Sequence, residues 1–97
     1  MAERDVENAV VHYLEEGGPE LSVRFIAALE TALRRSGIQP AIGSPRYAAE
    51  LALPGLRVWP LRRFPHLIFY VERQDCVDVW RVLHAQRDIP AWLREDE

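Results

Sequence analysis

The chain has 97 residues, 48% of them apolar, with three Trp, three Tyr and three Phe, which is one domain's worth of sequence with a modest core and excludes a disordered polymer or a two-domain protein. Its formal net charge is −3, no stretch nears the roughly 20 apolar residues that span a bilayer, and no apolar segment follows the charged start Met1-Ala2-Glu3-Arg4-Asp5. A single cysteine, Cys76, excludes an intrachain disulfide and argues against a four-ligand structural zinc site, so the expectation is a soluble cytoplasmic domain, residues 1–97, with no metal, no cofactor and no membrane partner.

In chain order, Val6, Ala9, Val10, Tyr13 and Leu14 fall at helical spacing, with Glu7, Asn8, Glu15 and Glu16 on the other side. This predicts an amphipathic helix of about four turns, stopped by Gly17-Gly18. Pro19 suits the first turn of a second helix, whose stripe is Leu21, Phe25, Ala28, Leu29, Ala32 and Leu33. Arg34 and Arg35 complement its C-terminal dipole, and Gly37 is a natural cap. So short a link makes the two helices an antiparallel hairpin.

Residues 38–54 carry Pro40, Gly43, Pro45 and Pro54 and no sustained period, which predicts irregular chain. The runs Leu56 to Arg62, His66 to Glu72 and Cys76 to His84 then read as strands. Their short connections require a three-stranded antiparallel meander. Cys76, beside several Val, is expected as a packed strand residue. On the last strand, Val77, Val79 and Leu83 are expected on one face, and Trp80 and Val82 with Asp78 and His84 on the other. Such mixing predicts that both faces are partly covered, one of them by the helix hairpin. Asp88 is a candidate cap for a short terminal helix with Pro90 in its first turn, and Arg94 to Glu97 form a fraying tail. The fold class is therefore α+β, a helix hairpin on an antiparallel sheet with a short C-terminal helix.

Charge is unevenly spread. Residues 44–87 carry seven Arg against four acids, whereas residues 1–43 carry four Arg against seven and residues 88–97 one against four. All twelve basic residues are Arg, the side chain that pairs bidentately with carboxylates and phosphates. A basic middle between acidic ends fits an acidic protein partner, a nucleic acid or a solvated surface.

Three motifs converge on one family. Ala2 to Val6 supply an Ala-x-x-Asp-Val helix start. Pro40, Gly43 and Arg46 form a Pro-x-x-Gly-x-x-Arg loop ahead of Leu-Pro-Gly-Leu-Arg (Leu53 to Arg57). Phe64-Pro65-His66-Leu67-Ile68-Phe69-Tyr70 and Val79-Trp80-Arg81-Val82-Leu83-His84-Ala85-Gln86-Arg87-Asp88 complete the pattern. Over nearly its whole length the chain resembles the RelE/ParE toxins, most closely the ParE branch. The resemblance implies a toxin neutralised by a ParD-like antitoxin and acting on DNA gyrase, with growth arrest and plasmid stabilisation as its outcomes. It also implies a homodimer or a toxin–antitoxin hetero-oligomer. Family members usually place a strand before the Ala-x-x-Asp helix, whereas this chain begins at the helix, so an exposed sheet edge and a truncated, inert relative are further expectations.

The RNase branch, a ribosome-dependent mRNA endonuclease, is the alternative. It tends to carry Tyr-Arg-x-x-Tyr on the middle strand, and Leu67 stands here where the Arg would be. RNA cleavage needs an acid, a base and cations around phosphorus, and His66, His84, Arg57, Arg63, Arg81 and Arg87 are the available parts. His84, Arg81 and Arg87 are the candidates if the chain is an enzyme; otherwise no catalytic residue is expected. Candidate partner-binding residues are Arg57, Arg62, Arg63, Arg81, His84 and Trp92. Arg81, between apolar neighbours, requires a carboxylate from Asp78, Asp88 or the antitoxin. His84 otherwise caps its strand, Trp92 with Leu93 either covers the sheet or anchors a partner, and His12 is expected as solvated surface.

Overall fold

The computed structural model describes residues 2–86 and 89–94, and of Trp92 and Arg94 the backbone. Helix α1 (Ala2–Ile38) is two arms, residues 2–17 and 19–38, broken at Gly18, whose φ of 76° and ψ of −172° lie where only glycine is at ease. Pro19 restarts the helix. Tyr13 and Phe25 show that the chain folds back, since their ring centroids are 5.1 Å apart. In one straight helix, twelve residues would separate them by about 18 Å. The helix hairpin is therefore present. The second arm runs through Gly37, expected as its cap, and ends at Ile38, ahead of Pro40.

Residues 38–54, expected to be irregular, hold a 3₁₀ turn (Pro40–Ile42) and a short helix α2 (Arg46–Glu50). Five residues are too few to display a period, which is why the pattern misses α2. Ser44 Oγ accepts the Arg46 N–H at 3.2 Å at its start, and buried Leu51 fastens its end.

Strands β1 (Leu56–Pro60), β2 (His66–Glu72) and β3 (Val77–His84) form an antiparallel sheet in the order β1-β2-β3. β1 stops short of Arg62, because Leu61 N–H already closes the turn on His66 O at 2.9 Å. Pro60 is tolerated since β1 lies at an edge. Cys76 is exposed in the β2–β3 turn, contrary to its expected place in the strand: Arg73 N–H reaches Cys76 O at 2.7 Å and closes the turn there.

Register departs from the expected faces at one place. Phe69 pairs with Arg81 and Tyr70 with Val79, leaving Trp80 as an extra residue in β3. This bulge shifts the alternation of the strand by one. Val77, Val79 and Val82 consequently pack towards α1, with Ile68, Tyr70 and Leu61, against Tyr13, Phe25, Leu29 and Ala32. Leu83 and Trp80 pack on the opposite face with Leu56, Val58, Phe69 and Val71. Helix α3 (Ile89–Arg94) closes that second face through Ile89 and Leu93, 4% and 0% exposed. Burying each such side chain contributes about 1.5–3 kcal/mol. Both faces are covered, as the mixed pattern of β3 implies; the Asp88 cap lies outside the described residues.

The outer edges of the sheet are met by the chain itself at two points. Ser44 exchanges both backbone hydrogen bonds with Val58 on β1, at 2.8 and 2.9 Å. On β3 the Val82 N–H donates to the Asp5 carboxylate at 3.0 Å. Among the described residues no helix is long and apolar enough to cross a membrane.

Candidate functional site

The first arm of α1 presents Asp5, Asn8, Ala9 and His12 at i, i+3, i+4 and i+7, one helical face. Packed against the ends of β2 and β3, that face bounds a cleft of about 430 Å³ with His66, Val82, His84 and Gln86 on the far side. All three histidines of the chain line it. His12 is exposed, as expected, and stands at the mouth of this cleft, seven residues and two helical turns from Asp5.

His66, opposite His84 in the register, is 7% exposed and packs edge-on against Tyr13, Phe25 and His84, with centroids 5.6, 5.1 and 5.2 Å away. Its Nδ1 lies 3.3 Å from the Tyr13 hydroxyl. Burial pushes the Tyr13 hydroxyl above its ordinary pKa of 10.0, because the phenolate would lose its hydration. His84 Nδ1 accepts the Gln86 N–H at 3.1 Å, which places the proton of the neutral ring on Nε2 and leaves that nitrogen as the donor.

Arg81 finds its carboxylate in Asp5, not in Asp78 or Asp88. Its Nε and NH2 donate to the two Asp5 oxygens at 2.7 and 2.8 Å, and the two side chains are 2% and 9% exposed. The fork is buried, as a position between apolar neighbours requires, and the carboxylate that neutralises Arg81 comes from within the chain. Asp78 instead meets Arg73 at 3.4 Å on the surface.

The expected basic group Arg57/Arg62/Arg63 is divided. Arg57, on β1, donates to Gly43 O at 2.7 Å and Ala41 O at 3.4 Å, fastening the loop before α2. Tyr70 fastens the same loop, its hydroxyl donating to Pro40 O at 2.6 Å and accepting the Gly43 N–H at 2.9 Å. Any Cβ at Gly43 would collide with that hydroxyl. Arg62 and Arg63 are exposed on the β1–β2 turn, roughly 17 Å further along the chain. Leu67, where the RNase branch carries Arg, packs against the second core cluster. Arg87 lies outside the described residues, as does the side chain of Trp92. Among the described residues no three His, Cys, Asp or Glu side chains converge to hold a metal ion.

A helix hairpin laid on a three-stranded meander, with a short helix behind it, defines a small α+β domain. Residues 1–89 match the family described as "ParE toxin of type II toxin-antitoxin system, parDE". The chain belongs to the ParE toxin family. Its fold is similar to that of a solved chain from P. aeruginosa titled "Chromosomal ParDE TA system from P. aeruginosa", with a TM-score of 0.69, 21% identity and 86% of each chain covered. No curated protein matches the sequence.

Proposed function

We propose that the chain is a type II toxin that inhibits DNA gyrase by binding it and is held inactive by a ParD-like antitoxin. Membership of the ParE family supports this reading. One observation favours it over mRNA cleavage: two of the cations that could serve a scissile phosphate, Arg81 and Arg57, are otherwise engaged. Arg81 is forked onto Asp5, Arg57 is bonded to the loop carbonyls of Ala41 and Gly43, and Leu67 occupies the middle-strand position of the RNase branch's Arg. Binding through surface contacts needs none of those groups free. The purified chain is expected to inhibit supercoiling by gyrase and to leave mRNA intact in a translating ribosome extract.

The RNase reading keeps one point in its favour, the His66–His84 pair with centroids 5.2 Å apart in an open cleft, a geometry compatible with an acid and a base. Codon-specific mRNA cleavage that disappears in His84→Ala establishes that reading and overturns the gyrase one. A growth assay with and without the antitoxin distinguishes an active toxin from an inert relative.

A further inference from the structure

β3 is an outer strand of the sheet, and among the described residues no other segment of the chain pairs with its far side. The direction of each backbone group on that side follows from the ladder. Cys76 O accepts the Arg73 N–H at 2.7 Å, so Cys76 faces β2, and by alternation Asp78 does too. Val77 and Val79 therefore turn their N–H and C=O groups outward. The bulge at Trp80 shifts the alternation, and beyond it Val82 faces outward. The outward row is thus cut into two short pieces, Val77 with Val79 and Val82 with His84. Asp5 meets the second piece: its Oδ2 accepts both Arg81 Nε at 2.7 Å and the Val82 N–H at 3.0 Å. The residues of this edge, Val77-Asp78-Val79-Trp80-Arg81-Val82-Leu83, are rich in β-formers, carry one charge of each sign and include neither Pro nor Gly. Such a segment is prone to pair with a copy of itself, and a two-fold axis presents the same antiparallel edge to both partners.

We propose that the Asp5–Arg81 fork guards this edge against the β3 strand of a second copy of the chain. Asp5 Oδ2 stands where the carbonyl of an added strand would accept the Val82 N–H. To pair there, an incoming β3 must displace the carboxylate and leave the guanidinium of Arg81, 2% exposed, without it. The bulge confines what remains open to Val77 and Val79, two residues against about five in an ordinary strand. The guard thus joins the first arm of α1 to the one stretch of β3 that would otherwise lengthen the open row. The surface it closes is made of backbone donors and acceptors between apolar side chains, with Asp78 already meeting Arg73 at 3.4 Å, which suits a matching strand rather than a charged ligand. This inference is independent of the gyrase reading.

The test follows the mass of the full chain by light scattering over a range of concentrations, together with amide exchange at Val77 and Val79. Asp5→Ala combined with Arg81→Met removes both members of the fork, so no buried guanidinium is left without its carboxylate. This double variant is expected to gain mass over the wild type, to a dimer or beyond, and its Val77 and Val79 amides to exchange at least about tenfold more slowly. Destabilisation alone would speed that exchange. Asp5→Asn weakens the fork but keeps an oxygen for the Val82 N–H. It is expected to lower the urea midpoint without adding mass. Val79→Pro on the double background is expected to restore the wild-type mass, because the lost N–H faces outward and takes no part in the β2–β3 ladder. Wild-type mass and exchange in the double variant overturn the proposal, as does association of Asp5→Asn equal to that of the double variant. Association that Val79→Pro leaves unchanged also overturns it, since the contact then lies on another face.

Discussion

Asp5 and Arg81, 76 positions apart, form a buried fork in which one carboxylate receives both Nε and NH2 of the guanidinium and also the N–H of Val82. The same two oxygens thus neutralise an interior cation, satisfy an edge donor of β3 and lock the first arm of α1 onto the sheet. The bulge at Trp80 lies immediately before Arg81, where a locally altered twist changes the direction in which the next side chain leaves the strand.

Removing one partner is expected to cost far more than removing both. Asp5→Ala leaves the Arg81 charge buried without its carboxylate, a loss of about 3–5 kcal/mol in urea denaturation. Arg81→Met in the same chain restores a good part of that loss, because an apolar side chain of similar length needs no partner. A double variant no more stable than Asp5→Ala would show that the cost lies in the lost Val82 bond.

Gly18 offers a clean measure of backbone strain. A Cβ there would meet nothing within 4 Å, so only the φ of 76° opposes a side chain. Gly18→Ala is expected to destabilise by about 1–3 kcal/mol in thermal or chemical unfolding. Stability equal to the wild type would mean that the two arms reverse without the glycine conformation.

Tyr13 ties stability to alkaline pH. Its hydroxyl titrates above the ordinary value of 10.0 in the folded chain because it is buried. The unfolded chain therefore releases this proton first, and stability falls as pH rises from that ordinary value through the folded one. At neutral pH both states hold the proton and the contribution is intact. Tyr13→Phe is expected to lose about 0.5–1.5 kcal/mol at neutral pH with the bond to His66, and to show a smaller further loss above pH 10. Urea midpoints at the two pH values make the comparison.

The loop at residues 40–43 should loosen when its two clamps are cut. Tyr70→Phe strands the Gly43 N–H and Pro40 carbonyl, costing about 1–3 kcal/mol. Arg57→Ala is expected to speed amide exchange in the same loop. Exchange no faster than in the wild type would show that Tyr70 alone holds the loop.

Local pattern carried much of this protein. The reversal at Gly17-Gly18-Pro19, the three strands, the terminal helix around Pro90 and the family resemblance all depend on residues within a turn or a pleat of one another, and spacing along the chain exposes them directly. What it did not expose is which distant groups meet. That Arg81 pairs with Asp5 rather than Asp78, and that Arg57 turns to a loop while Arg62 and Arg63 remain exposed, followed from strand register and from how the helix arms dock. The bulge at Trp80 inverts the faces of β3 beyond it, with no change in the apolar period that would announce it, and α2 is too short to have a period. His12, His66 and His84 come from three separate elements, and only the packing of α1 across the sheet gathers them into one cleft. Local spacing reports the face a residue prefers, whereas the partner on that face is chosen by long-range contacts whose geometry exists only once the sheet has formed.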